Sequence, residues 1–399
     1  MRVAILYSHL KEWGGAENVI LKQAELLRGN GYNVKSYFAY VDKQLAKAHS
    51  NPHPLVESYF DSPIPDNKIM RIILSIPLAP LTIKAFRSVD VLLCHGYGPA
   101  PWIGYVLKKI RGMRYISYIH SPPRFLFLDS EARKLWRFDS IRDVIYLLNK
   151  AVGPILKEID FLGVLNSDRV LVNSFFTARR VKEIYGLEPT VCYPPVDTNM
   201  FKPQDDETIR RMRSDFGWPL ILSTGRIAAV KRWEWLIEMM THVVKVFPSA
   251  TLAVTGEITE ENIEYVQKLI KLAEFLGVRK SVRFLGFRAA NELVRLYNVA
   301  DVYAYAVPGE DFGLGPVEAM ACGTPAVVWD DGAGPCETVI DGKTGFRAKP
   351  YNIEDFAEST MKALDVNKME MRDFASKFVR ENFSCESHFK SLDQVLRNL

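Results

Sequence analysis

The sequence predicts an α/β protein of two doubly wound parallel-sheet domains, and three observations carry that prediction. Short apolar runs alternate with stretches of helical period along almost the whole chain. In each half a glycine-bearing turn joins an early apolar run to the helical stretch behind it, at 14–15 and at 225. The length of 399 residues exceeds what one ordinary core fills and suits two domains.

The first half opens on residues 2–8 (RVAILYS), a short apolar run of the kind that forms a central parallel strand. Its loop ends in Gly14 and Gly15, after which Val19, Ile20, Ala24 and Leu27 recur at helical spacing. Asn30 and Gly31 cap that helix, and residues 32–39 return as a strand. This βαβ unit lacks Gly-x-Gly-x-x-Gly, which disfavours a nicotinamide site. Residues 40–88, rich in Pro, His and Ser, give no assignable pattern. Strands follow at 89–94 and 115–119, with a helix over 101–110 between them. His9, His95 and His120 each follow a strand, where open α/β sheets place their ligands, and His120 begins the run His-Ser-Pro-Pro-Arg. Residues 130–159 read as a long basic and aromatic helical region and 168–173 as a strand. Ser174 is the N-cap of a helix over 175–185. The run at 191–193 leads into Pro194-Pro195-Val196-Asp197, and the linker is placed at 194–202.

In the second half, strands are expected at 220–223, 251–256, 282–285, 301–305 and 326–329. Helices are expected over 233–246, 260–275, 291–297, 317–322, 353–364, 369–382 and 386–396. The first strand leads into a glycine turn flanked by Arg226 and Lys231. Fixed cations at a strand's carboxyl end, beside a helix N-terminus, suit a diphosphate.

The densest chemistry lies in 306–346. Glu310 and Glu318 stand eight positions apart around Asp311-Phe312-Gly313-Leu314-Gly315-Pro316. Gly313 and Gly315 allow close approach of the backbone to a ligand, and Pro316 suits a first helical turn. The N–H groups and dipole of the helix that follows favour an anion. Glu318, an acceptor-only carboxylate beside that site, matches two vicinal hydroxyls of a ribose, while Glu310 reaches a different hydroxyl-rich group. The combination describes a phosphate-ester ligand. Glycosidase chemistry with this pair is set aside because the two acids bracket an anion turn instead of facing one sugar bond. No two aspartates stand two apart, so no Asp-x-Asp metal site is expected. Charge on a bound diphosphate then falls to Arg226, Lys231 and the helix beginning near Gly315.

These motifs closely resemble glycosyltransferase family 4. The resemblance rests on the Glu310-x7-Glu318 spacing, the Phe-Gly-Leu turn and Glu-Ala-Met-Ala-Cys-Gly-Thr-Pro. It extends to Glu337-Thr338-Val339, Gly342-Lys343-Thr344-Gly345-Phe346, Gly225-Arg226-x4-Lys231 and Gly-Gly-Ala-Glu at 14–17. It covers nearly the whole chain, most strongly 220–346 and least 40–88. It implies a GT-B architecture of two Rossmann-like domains facing a cleft. Residues 1–197 would bind the acceptor and 203–375 the nucleotide sugar, with helices in 376–399 crossing back to the first domain.

The resemblance implies a retaining, metal-independent hexosyltransferase acting by front-face attack, the departing phosphate taking the acceptor's proton. Its catalytic group would be Glu310, His120, Arg226 and Lys231. Donor contacts would also come from Gly14, Gly15, Phe287, Phe312, Gly313, Leu314 and Glu318. Glu310 and His120 would face the donor sugar, Glu318 the ribose and the loop at 286–288 the base. The runs 120–124 and 310–318 look like the mannosyltransferase branch, so the expected donor is GDP-mannose, with no other cofactor. The expected acceptor is a glycan or a lipid-linked saccharide. Two alternatives stay open: a nucleotide-sugar isomerase or epimerase of the same fold, and a non-catalytic sugar-nucleotide binding protein.

Composition adds bounds. Hydrophobic content of 48% and charged content of 25% are those of a soluble globular protein. Five cysteines without a Cys-x-x-Cys pair suit free thiols in a reducing compartment. The N-terminal apolar run is too short for a secretory signal, and residues 72–83, with Pro77 and Pro80, are too few to span a bilayer. A cytoplasmic protein is therefore expected. The net charge of +4 is uneven: residues 1–200 carry 26 Lys and Arg against 18 Asp and Glu. Lys108, Lys109, Arg111 and Arg114 cluster, and Lys134, Arg137 and Arg142 share a region with Trp136, Phe138 and Tyr146. That pattern points to peripheral contact with an anionic membrane face; no nucleic-acid partner is expected.

Overall fold

The computed structural model of the protein describes residues 1–8, 14–38, 56–58, 85–127, 142–204, 207–365 and 368–399. The chain divides into two compact units. The first takes the described residues up to Pro195 together with Glu386–Leu399; the second takes Val196–Cys385.

The first unit is built on seven parallel strands: β1 (Arg2–Tyr7), β2 (Asn33–Phe38), β3 (Val56–Ser58), β4 (Val91–His95), β5 (Arg114–Ile119), β6 (Arg169–Val172) and β7 (Thr190–Val191). Their order is β3-β2-β1-β4-β5-β6-β7. Helices cover both faces, which is why β1 and β4 are apolar on both sides instead of alternating with polar residues. Successive side chains still go to opposite faces. Val3, Ile5, Leu93 and Ile116 pack with Ile20 and Leu27 of the helix Gly15–Gly29 and with Leu392 and Leu396 of the last helix, Cys385–Arg397. Ala4, Leu6, Leu92 and Cys94 pack with Ile103 and Leu107 of the helix Pro99–Arg111. The helix Phe175–Tyr185 starts where the sequence indicates: the Ser174 hydroxyl accepts the Thr177 amide at 2.9 Å.

The second unit is built on six parallel strands: β8 (Leu220–Thr224), β9 (Thr251–Thr255), β10 (Val282–Gly286), β11 (Val302–Tyr305), β12 (Ala326–Trp329) and β13 (Gly345–Ala348). Their order is β10-β9-β8-β11-β12-β13. Val302 and Ala304 face a core filled by Ile237, Met240 and Phe356 from the flanking helices, so Tyr303 and Tyr305, at the alternate positions of β11, face the other way. Strand order reverses between β1 and β4 in the first sheet and between β8 and β11 in the second. Those reversals open crevices at the strands' carboxyl ends.

Three local differences from the sequence reading have physical reasons. The helix expected over 317–322 runs from Leu314 to Ala321, because Gly313 takes a left-handed conformation (φ 82°) as its N-cap. Pro316 therefore stands third in the helix, where an absent N–H still breaks no helical bond. β13 was not expected. Gly345 makes it possible, since a Cβ there would lie 1.9 Å from the Ala326 carbonyl oxygen of the paired strand. The helix Glu207–Ser214 was not expected either; its apolar side is only Ile209 and Met212, too short a pattern to stand out among the charged residues of ETIRRMRS. Among the described residues no helix is long and apolar enough to cross a membrane.

Candidate active site

The second sheet's reversal brings together residues that lie far apart in sequence. β8 ends at Thr224. Gly225 follows with φ 148°, and the 3₁₀ turn Ala229–Lys231 leads into the helix Trp233–Val246. β11 ends at Tyr305, and the loop after it carries Glu310 to the N-terminus of the helix Leu314–Ala321. Lys231 Nζ donates to Glu310 Oε2 at 2.8 Å and to Tyr305 Oη at 3.0 Å. Tyr305 donates to the same carboxylate oxygen at 2.6 Å. Lys231 and Glu310 keep only 20% and 18% of their side-chain surface exposed, so this ion pair is poorly screened by solvent.

A second group binds the loop that carries Glu310. Asp331 accepts the Gly309 amide at 2.8 Å and the Ala333 amide at 3.1 Å. The Gly334 amide donates to the Glu310 carbonyl at 2.9 Å. A Cβ on Gly334 would lie 2.2 Å from the Asp311 carbonyl oxygen, so the two segments approach as closely as only glycine allows.

Glu318 lies one turn inside the helix. Tyr297 donates to its Oε2 at 2.9 Å, and Tyr297 is tied through Thr224 Oγ1 (3.1 Å) to Tyr303 (2.9 Å). Burial pushes the Glu318 carboxyl up to about 7, against the opposing pull of the Tyr297 hydrogen bond. A Cβ on Gly315 would lie 2.2 Å from Tyr303 Oη. Gly315 is thus required by this tyrosine, independently of any ligand.

The other expected donor contacts of this unit fall around the same edge. Arg226 is exposed on the segment after Gly225, its carbonyl accepting the Trp233 indole N–H at 3.2 Å. Phe287 is 56% exposed just beyond β10. Leu314 is partly exposed at the helix start. The Phe312 ring is buried and packs edge-on against Phe383 at 5.8 Å, so at this position the backbone is what remains for a ligand. Tyr297, Tyr303, Tyr305, Thr224 and Asp331 were not singled out from sequence. The alternation Val-Tyr-Ala-Tyr in β11, which puts two hydroxyl-bearing rings on one face of a strand, was the available signal.

In the first unit, Gly14 is the N-cap of the helix Gly15–Gly29, with Glu17 in its first turn. A Cβ at Gly14 would lie 2.6 Å from Glu17 Oε2. His120 follows β5. Its Nε2 lies 2.9 Å from Nδ1 of His95, at the end of β4, and its backbone carbonyl accepts from Asn173 Nδ2 at 2.9 Å. Burial and the nearby His388 lower His120 to about 3. His9, the run at 72–83, Lys134, Trp136, Arg137 and Phe138 lie outside the described residues, as do the side chains of Arg142 and Tyr146. Of the basic cluster on and after Pro99–Arg111, Lys108 is bonded to Asp168 at 2.6 Å and Arg114 to the Leu399 carbonyl at 2.8 Å.

The chain resembles known proteins both in sequence and in fold. Residues 13–200 match the family model described as Glycosyltransferase Family 4, and residues 205–380 that of Glycosyl transferases group 1. D-inositol 3-phosphate glycosyltransferase of Rhodococcus erythropolis is 31% identical over 231 residues, 56% of this chain and 52% of that protein. The Corynebacterium jeikeium enzyme of the same name is 30% identical over 59% of this chain and 58% of its own. The chain thus spans about half the length of the relatives it matches. HepE of Anabaena, solved with UDP, superposes with a TM-score of 0.79 at 20% identity, covering both chains fully. Sucrose-phosphate synthase of Thermosynechococcus elongatus superposes at 0.80 and 18%, covering this chain fully and 98% of its own.

Proposed function

We propose that this chain, which belongs to glycosyltransferase family 4 and has the GT-B fold, moves a hexose from a nucleotide-diphosphate sugar to a glycan or lipid-linked acceptor. The observation that carries the reading is the Lys231–Tyr305–Glu310 cluster beside the start of the helix Leu314–Ala321, at the second sheet's reversal. A diphosphate placed there meets the Lys231 cation, the helix's unpaired N–H groups and the exposed Arg226. Glu310, already fixed by Lys231, Tyr305 and the clamp from Asp331 and Gly334, accepts from hydroxyls of the donor sugar. Glu318, in its ionised form, accepts from the ribose. In the transfer step the bond from the sugar's anomeric carbon to the phosphate oxygen breaks as the acceptor oxygen bonds to that carbon. The acceptor's hydroxyl proton leaves with the diphosphate, whose growing charge the same cations and dipole stabilise.

Family membership supports retention of configuration, and the absence of Asp-x-Asp supports independence of metal. The runs 120–124 and 310–318 favour GDP-mannose, and the UDP held by HepE makes UDP-glucose the competing donor. One assay tests the core of the reading: nucleotide release over a panel of donors, with and without acceptor and with EDTA, followed by NMR of the product. Acceptor-dependent release in EDTA and an α-product from an α-donor are expected. Release independent of acceptor points to an isomerase or hydrolase, and binding without release to a non-catalytic protein.

The acceptor is proposed to lie at an anionic membrane face. The cationic surplus of the first 200 residues supports this, although Lys108 and Arg114 are engaged within the protein. Salt-sensitive co-sedimentation with anionic liposomes is expected, and no binding at low salt overturns it.

A further inference from the structure

We propose that His95 fixes the tautomer of His120, so that His120 presents Nδ1–H as a neutral hydrogen-bond donor to an oxygen of a hydroxyl-bearing ligand at the carboxyl end of the first sheet. The ligand in this inference rests on the transferase reading; the tautomer does not.

His95 is wholly buried at the end of β4. Its ring stacks on Tyr118 at 4.9 Å and 18°, and His120 leans on both, 4.9 Å from Tyr118 and 5.1 Å from His95. The Tyr118 hydroxyl donates to the Cys192 carbonyl at 2.5 Å, which holds the central ring in place. The Asn173 bond holds the His120 backbone. The ring contacts and the 2.9 Å approach of the two nitrogens hold the imidazoles facing each other.

Two neutral imidazoles 2.9 Å apart share one proton between His95 Nδ1 and His120 Nε2, so one donates and the other accepts. The rest of the His95 ring decides which. Its Nε2 is buried and has no partner among the described residues. If His120 donated, His95 would carry its own proton on Nε2, an N–H sealed from water with nothing to receive it. If His95 donates from Nδ1, Nε2 is left as a bare lone pair. An orphaned buried N–H is the rarer and costlier of the two. His95 therefore donates, His120 accepts at Nε2, and the His120 proton sits on Nδ1. His120 is partly exposed, and no bond to Nδ1 exists among the described residues, so that N–H is available to a ligand.

The surroundings keep the pair neutral. Burial is the main cause lowering both rings, reinforced for His95 by His120 and His388 and for His120 by His388. His388 itself has Nδ1 2.5 Å from the Tyr193 carbonyl, which only accepts, so it too carries its proton on Nδ1. His120 is accordingly a fixed donor and not a general base: the nitrogen that would take a proton is occupied by His95. His95 is a positioning residue, since it is wholly buried and acts through His120.

Long-range proton–nitrogen NMR of the full chain at neutral pH, with His120 assigned by comparison with His120→Gln, reads the tautomer directly. The expected spectrum shows a protonated, pyrrole-type Nδ1 and a pyridine-type Nε2 on His120. The reverse pattern, or a positively charged ring, overturns the inference whether or not any donor is turned over. His95→Asn places a side-chain amide donor near the lost Nδ1–H and is expected to preserve both the tautomer and turnover. His95→Leu is expected to release the tautomer and lower kcat/KM by about tenfold, the worth of one hydrogen bond. A folded His95→Leu protein with an unchanged His120 spectrum and unchanged turnover also overturns it. A wild type that transfers no sugar removes the transferase reading, and the tautomer measurement then stands alone.

Discussion

Where strand order reverses in the first sheet, the nearby side chains are neutral rings: His95 stacked on Tyr118, His120 leaning on both, and the Tyr118 hydroxyl bonded to the Cys192 carbonyl. At the corresponding place in the second sheet they are ionic, with Lys231 bonded to Glu310 and a half-buried Glu318 beside them. Topology is the same on both sides, so it accounts for where a ligand meets each unit and not for which ligand. Burial acts oppositely on the two sets. It strips the histidines of charge, lowering His120 to about 3 and His388 to about 4, and it raises Glu318 to about 7. Lys231 and Glu310 are held together as a largely buried pair. The first edge is suited to orienting neutral hydroxyl groups, and the second to stabilising an anion.

The largest expected effect is on the charged side of that comparison. Lys231→Ala removes a preorganised cation and leaves Glu310 with one donor fewer. We expect kcat to fall by about 10²–10³-fold, or about 2.7–4 kcal/mol of barrier, as for loss of one oxyanion donor. Arg226→Ala acts on an exposed side chain and is expected to cost less. Steady-state kinetics with the best donor decide this. Full activity in the Lys231 variant would break the contrast between an ionic and a neutral edge.

Most of the scaffold was legible because periodicity and turn residues report local structure. The helices Phe175–Tyr185 and Trp233–Val246 and the strand Ala326–Trp329 fall where the apolar spacing and the residues Ser174, Gly225 and Pro325 put them. A cationic turn and an acidic turn were each legible behind a strand; that those strands, β8 and β11, are neighbours at the reversal is seen only in the structure. What the sequence did not yield are relations across the sheet. Lys231 and Glu310 are 79 positions apart, and nothing local says that Tyr305 lies between them. His95 looked like a competitor of His120 because both follow strands, whereas adjacent strands make them partners. Gly315 was read as room for a ligand; its immediate cause is Tyr303.

That last point gives the next largest effect. Gly315→Ala puts a methyl 2.2 Å from Tyr303 Oη, within the network that supports Glu318. Overpacking of this kind costs about 1–3 kcal/mol. Chemical denaturation should show the loss, and Tyr303→Phe in the same chain should recover part of it by deleting the clashing oxygen. Loss of nucleotide affinity without loss of stability would restore the ligand-approach reading of Gly315. Equal stability of the single and double variants would show that Tyr303 is not the obstacle.

The smallest effect is the most specific, because it depends on pH. Glu318 has its carboxyl raised from 4.5 to about 7 by burial, so the folded chain holds a proton that the unfolded chain has released. Its contribution to stability therefore falls as pH rises from about 4.5 to 7 and then levels off. Glu318→Gln keeps an acceptor for Tyr297 and removes this titration. Relative to wild type, the variant should gain stability across that window, by on the order of 1–3 kcal/mol at pH 8. Binding should move the other way. Ribose hydroxyls donate, so they need the ionised carboxylate, and wild-type affinity for a nucleotide sugar should tighten from pH 6 to pH 8. The nucleotide sugar is the right probe because its esterified diphosphate does not titrate there. The Gln variant should bind more weakly at pH 8, with no such trend. Calorimetric titrations at the two pH values test both halves. A wild-type affinity independent of pH, with stability still changing, would leave Glu318 as a buried structural acid and move the ribose contact elsewhere along the second sheet's edge.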